Sequence, residues 1–164
     1  MYFLYKSEHI EAPVDTPFTV ECARITPFHL FLKGERKRMK VLLSRLWLWL
    51  ITFGHIKIFY VRNQAGALMH TSCVTSKCYK FPFMTKTDYQ IGPCVTYPDF
   101  RGKGIYPIVL KHIVSTMSNG KSSFYMLVEE KNAASIKGIE KAGFGKSANI
   151  KKTRPFGTYV PIKE

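Results

Sequence analysis

Residues 91–110 read "IGPCVTYPDFRGKGIYPIVL", and the reading of this stretch decides the fold. It looks like a strand running into a helix, yet Gly92-Pro93 interrupts the strand. Proline removes a ladder donor and glycine within a strand often marks a bulge, so this strand is expected to peel away from a neighbour. The backbone of Cys94, Val95 and Thr96 could then bond an extended, amide-containing ligand as though it were another strand. The plainer alternative is a kinked edge strand. Arg101-Gly102-Lys103-Gly104 fills the following turn, and Ile105-Tyr106 opens the helix. Glycines let backbone N–H groups approach a ligand, the helix N-terminus favours negative charge, and Arg101 and Lys103 add full positive charges. Pro107 is tolerated in a first turn, where its missing N–H has no helical partner. The combination suits a pyrophosphate. Neither GxxxxGK[ST] nor GxGxxG is present.

Outward from that stretch, residues 18–26 alternate as a strand between Pro17 and Pro27. Residues 34–53 read as a helix, polar in "GERKRMK" and then apolar almost all round. Such a helix is either deeply packed or touches something greasy. Two strands follow, joined at Asn63-Gln64-Ala65-Gly66, then a strand over 88–97 and a helix over 105–118 stopped by Asn119-Gly120. In that helix, positions 105, 108, 109, 113 and 117 share an apolar face. A buried strand over 122–130, a short helix capped by Asn132 and ended at Gly143, and two strands around Arg154-Pro155-Phe156-Gly157 complete the chain. The order implies an α/β mixed sheet in a single domain over 1–164.

The chain has 164 residues, with 25 Lys and Arg against 11 Asp and Glu, a formal net charge of +14. From Arg36 to Lys86 there are ten basic residues and no acidic one. That surface attracts anions, whether nucleic acid, acidic lipid or a phosphorylated small molecule. The four cysteines form no CxxC pair, and His70 and Cys73, three apart in a strand, point to opposite faces, so no metal site is expected. Reduced thiols suit a cytoplasmic protein. The N-terminal "MYFLYKSEHIEAP" lacks the features of a signal peptide. The greasiest run, "VLLSRLWLWLITF", is too short for a membrane span of about 20 residues.

"CVTYPDFRGKGIY", followed after a helix and a strand by "NAASIKGIEKAGF", resembles the GNAT superfamily of acetyl-CoA-dependent N-acyltransferases. The family's phosphate loop, Gln/Arg-x-x-Gly-x-Gly/Ala, is matched by Arg101 to Gly104, and its later helix by Asn132 and Glu140-Lys141-Ala142-Gly143-Phe144. The best match covers residues 88–144. The resemblance implies a mostly antiparallel sheet, flanked by helices and splayed between the fourth and fifth strands read above. It implies acetyl-CoA as acyl donor, with pantetheine against Cys94, Val95 and Thr96, pyrophosphate on Arg101, Gly102, Lys103, Gly104, Ile105 and Tyr106, and Asn132 and Ser135 close by. Two departures stand out. Tyr106 occupies a position usually held by Gly or Ala, and Ile139 stands where the family has the Tyr thought to protonate departing CoA thiolate.

Acyl transfer requires a neutral amine, so a base or proton route is expected. Asp88, His70 and Glu129 are the candidates, each with a plainer reading as strand start, core histidine or charge balance. The resemblance assigns acceptor choice to residues 28–53. There Arg36, Lys37, Arg38 and Lys40 favour a phosphorylated or nucleotide-linked acceptor, and Trp47 and Trp49 could stack on a sugar. The motifs are also similar to those of GNAT members from bacterial polysaccharide clusters, which points to an amino sugar. A protein amine is the nearest rival acceptor. A non-catalytic CoA-binding or nucleic-acid-binding module with the same fold is the rival class, with nucleic acid disfavoured. A homodimer is left open.

Overall fold

The computed structural model describes residues 1–8, 17–26, 39–52, 54–153 and 157–162, without the side chains of 39–42, 44 and 48. Its strands are β1 (Tyr2–Ser7), β2 (Val20–Arg24), β3 (Ile56–Arg62), β4 (Leu68–Ser76), β5 (Tyr89–Thr96), β6 (Phe124–Glu129), β7 (Gly145–Lys152) and β8 (Tyr159–Pro161). Its helices are α1 (Met39–Ile51), α2 (Ile105–Met117) and α3 (Ala133–Lys141). The strands form one mixed sheet in the order β2-β3-β4-β5-β6-β1-β7-β8. Every pair is antiparallel except β5–β6.

β1 was not among the strands expected from sequence. It lies inside the sheet, paired with β6 on one edge and β7 on the other. A strand covered on both faces shows little alternation, and "YFLYKS" carries no turn signal before it. The expected start of the first helix, including Arg36, Lys37 and Arg38, lies outside the described residues, as do Arg154, Pro155 and Phe156.

Packing divides the molecule into two faces. Strand alternation sends Phe59 and Val61 to one side, where they meet Val109, Leu110, Ile113 and Val114 of α2 and Ile139 and Ala142 of α3. Ile56, Ile58 and Cys73 go to the other side, against Leu46 and Trp49 of α1. The buried side of α2 holds the expected Ile105, Val109 and Ile113, joined by Leu110 and Val114, while Ile108 is only half-buried. Each fully buried aliphatic side chain contributes about 1.5–3 kcal/mol, and that stripe fixes the helix N-terminus over the end of β5.

Candidate active site

β5 departs from regular pairing where the sequence said it should. Its register with β4 shifts between Ser72↔Cys94 and Val74↔Ile91, so Gly92 and Pro93 together face Cys73 as a bulge. The Gly92–Pro93 peptide is cis. On the other edge, β5 pairs with β6 over three positions only, from Tyr89↔Phe124 to Ile91↔Met126. Beyond Ile91 the two parallel strands diverge. Tyr97 donates its N–H to Met69 O on β4, so strand alternation turns the N–H groups of Cys94 and Thr96 toward the gap.

The loop after β5 closes that gap. A 3-10 turn at Pro98–Phe100 leads to Arg101, whose Nε donates to Thr96 O at 3.2 Å. Gly104 is the N-cap of α2 with φ 71, a left-handed conformation that glycine adopts without strain. No side chain caps this helix end, which leaves its first N–H groups facing open space. A Cβ built on Gly104 meets nothing within 4 Å, since the space before it is cavity. α3 forms the opposite wall. Asn132 Oδ1 accepts from Ser135 N at 3.2 Å and caps that helix.

The cavity has a volume of about 620 Å³. It is lined by all eleven residues that the sequence marked for the cofactor, from Cys94–Thr96 through 101–106 to Asn132 and Ser135. His70 also lines it, as do Phe100, Pro107, Ala134, Gly138 and Lys141, which the sequence reading did not assign to the site. Lys141 lies within the matched "EKAGF", and Phe100 immediately precedes the loop. Lys103 Nζ sits 5.3 Å from the Phe100 ring centroid. No Asp or Glu lines the cavity among the described residues.

Beneath the cavity runs a chain of polar groups set into the apolar core. His70 is fully buried, with Nδ1 2.7 Å from Thr96 Oγ1 and Nε2 2.7 Å from Ser72 Oγ. The Ser72 and Tyr106 hydroxyls lie beside the Cys94 thiol and ease its ionisation. Either neutral tautomer of His70 satisfies both contacts, one ring nitrogen donating to its hydroxyl partner and the other accepting. Burial pushes His70 down to about 4, so it is neutral at pH 7. Burial pushes Cys94 up to about 11 against the opposing pull of Ser72 and Tyr106. Burial first, then the neighbouring Cys94, raises the Tyr106 phenol above its ordinary value. All three are held in their neutral forms.

The two departures noted in the sequence take on a spatial meaning here. Ile139 is in the core, 1% exposed, and does not line the cavity. Tyr106 leans across α3 at Gly138, where an added Cβ would stand 2.5 Å from the Tyr106 Cδ1. Gly138 is what lets this ring reach Cys94.

The other candidates lie elsewhere. Asp88 is buried at the far end of β5, where Oδ2 accepts from Thr85 N at 2.6 Å and Oδ1 from Ser123 N at 3.0 Å. Both carboxylate oxygens therefore hold backbone turns. Glu129 is exposed at the end of β6, 3.7 Å from Lys131 Nζ. Trp49 packs against the α1 side of the sheet, Trp47 is exposed, and neither lines the cavity. A second cavity, about 530 Å³, lies at the opposite end of α2 beside Met117 and Tyr89. Its walls carry Arg24, His55, Lys57 and Lys86, with Arg24 directly opposite Lys57 in the β2–β3 register.

No protein-family model and no curated protein matches the sequence. Solved structures do match the fold. One is a GNAT-family acetyltransferase from Colwellia psychrerythraea, at TM-score 0.64 and 15% identity over 89% of this chain and 52% of that one. Another is the aminoglycoside acetyltransferase AAC(6')-Ib with coenzyme A and kanamycin, at TM-score 0.60 and 15% identity over 86% of this chain and 92% of that one. A third is a tandem GNAT protein from the clavulanic acid biosynthesis pathway, at TM-score 0.59 and 16% identity over 88% of this chain and 50% of that one. The fold is the GNAT fold. This chain spans about half the length of the Colwellia and tandem proteins.

Proposed function

We propose that this chain transfers an acetyl group from acetyl-CoA to a primary amine. The observation that carries the reading is the parted β5–β6 pair opening onto an uncapped, glycine-bounded helix N-terminus flanked by Arg101 and Lys103. Pyrophosphate would lie on the N–H groups of the 101–106 turn, and pantetheine would bond the free edge of β5. The amide of Cys94 would face the thioester oxygen as negative charge develops there. Neighbours of the same fold hold coenzyme A and aminoglycosides, which supports both the donor and an amino-sugar acceptor. We extend the proposal to an amino sugar used in surface polysaccharide synthesis, phosphorylated or nucleotide-linked in keeping with Arg36 and Arg38.

In the reaction the amine nitrogen bonds to the acetyl carbon, the carbon–sulfur bond breaks, and one proton leaves the nitrogen while the sulfur gains one. Tyr106 lines the cavity and would be the candidate phenol to protonate the departing thiolate. The acceptor would react as the free amine, and its proton would pass to water.

The test is calorimetric titration with acetyl-CoA, followed by a screen of amino sugars for thiol release. Acetyl-CoA should bind at least tenfold tighter than ATP at equal ionic strength, and CoA release should require an amine. Equal affinity for ATP would reduce the site to a general anion trap. Binding without release, across amino sugars and protein amines alike, would favour the non-catalytic reading.

A further inference from the structure

α1 carries apolar side chains on two faces. One face packs on the sheet through Leu46 and Trp49. The other presents Leu43, Trp47 and Leu50, spaced i, i+4 and i+7, at 58%, 49% and 52% exposure. A helix at a water surface normally carries polar residues there, and a stripe of large apolar side chains marks an interaction face. The patch extends past the helix. Ile51 packs on the cluster of Cys78, Phe81 and Met84, and Tyr79 in that segment is 47% exposed. Four of the seven large exposed hydrophobics among the described residues therefore belong to α1 and the segment packed against it.

The sequence around this stripe is basic: residues 36–86 contain ten basic residues and no acidic one, and Lys77 is exposed next to the segment that packs against Ile51. We propose that the Leu43–Trp47–Leu50 stripe docks on the surface of an anionic lipid bilayer, with α1 lying in the interface plane. Tryptophan favours the headgroup level, and basic residues beside an apolar stripe are drawn to anionic headgroups. A second copy would bring another +14 against the first. Nucleic acid would meet the charge and leave the apolar stripe in water. No helix among the described residues is long and apolar enough to cross a membrane, which agrees with surface seating. The proposal does not depend on the acyl-transfer reading.

The experiment is co-sedimentation of the full chain with vesicles of phosphatidylcholine, with and without phosphatidylglycerol. In parallel, Trp49→Phe leaves Trp47 as the single fluorescent reporter, since the chain has two tryptophans. Binding only to phosphatidylglycerol vesicles, with a blue shift of Trp47 emission, is the expected result. Leu43→Ser, Trp47→Ser and Leu50→Ser combined should weaken partitioning about tenfold or more, and exposed positions tolerate such changes without unfolding. Unchanged partitioning of that variant would assign the binding to charge alone and overturn the docking stripe. A dimer in sedimentation velocity that the same variant dissolves would identify a second copy as the occupant. An oligonucleotide that displaces the vesicles without shifting Trp47 emission would identify nucleic acid.

Discussion

Two cavities sit on the α2 face of the sheet, one at each end of that helix, and both are positively charged. They differ by less than a fifth in volume, about 620 against 530 Å³. The first combines Arg101 and Lys103 with aligned helix N–H groups, a free strand edge and a buried polar chain. The second has Arg24, Lys57 and Lys86 on a conventionally paired part of the sheet. Charge collects anions in both, but only the first adds an open strand edge and an uncapped helix N-terminus, the features on which the acetyl-CoA proposal rests.

The sharpest way to break this contrast is Gly104→Val. A β-branched residue at φ 71 is strained, and its side chain would enter the ligand space, so acetyl-CoA affinity should fall about 100-fold. Calorimetry on that variant beside Lys57→Ala would decide the matter, because the second-cavity substitution should leave affinity within about twofold. Comparable losses from both would mean that charge, not geometry, holds the cofactor.

The buried chain predicts a pH effect on stability. His70 is pushed down to about 4 from 6.5, so the unfolded state takes up its proton first as pH falls. Stability from this group is complete above pH 6.5 and declines toward pH 4, by about 3 kcal/mol in all. Denaturant melts of the parent and His70→Gln across that window should diverge by this amount. A parallel pH dependence would show that His70 titrates normally.

Asp88→Asn should lower stability by about 1–3 kcal/mol through loss of a charged acceptor for two backbone N–H groups, and leave kcat within about threefold. A folded variant with turnover reduced 100-fold would instead make Asp88 the base. Tyr106→Phe should reduce kcat about tenfold while changing acetyl-CoA affinity little. Gly138→Ala should have a smaller effect of the same kind by displacing the ring. A double-mutant cycle on these two positions should be strongly non-additive, and additivity would separate the ring's position from its chemistry.

What was legible in the sequence lay where local chemistry and chain order coincide. Gly92-Pro93, the 101–106 turn and the Asn132 cap each carry a backbone consequence within a few residues, and the Cys94–Thr96 edge beyond the bulge lines one cavity with the turn and the cap. β1 was hidden because a strand paired and covered on both sides has neither alternation nor turn punctuation. The polar chain was hidden because its members come from β4, β5 and α2, and only the fold brings His70, Ser72, Cys94 and Tyr106 together. Tyr106 stood out in the sequence as a departure, whereas Gly138, 32 positions on, carried no signal until the fold set it against the Tyr106 ring. For α1 the pattern gave the helix, but periodicity alone could not say which apolar face would remain uncovered.

The three-position β5–β6 pairing has a mechanical side. It falls at the midpoint of the sheet, with four strands on either flank, so the seam joining the two halves is as short as the edge pairing of β7 with β8, three positions each. A ligand bonded along the open edge would splice those halves and lengthen the seam. Occupancy should therefore slow amide exchange on both flanks, well beyond the residues that touch the ligand, and the two half-sheets would open as one unit instead of two.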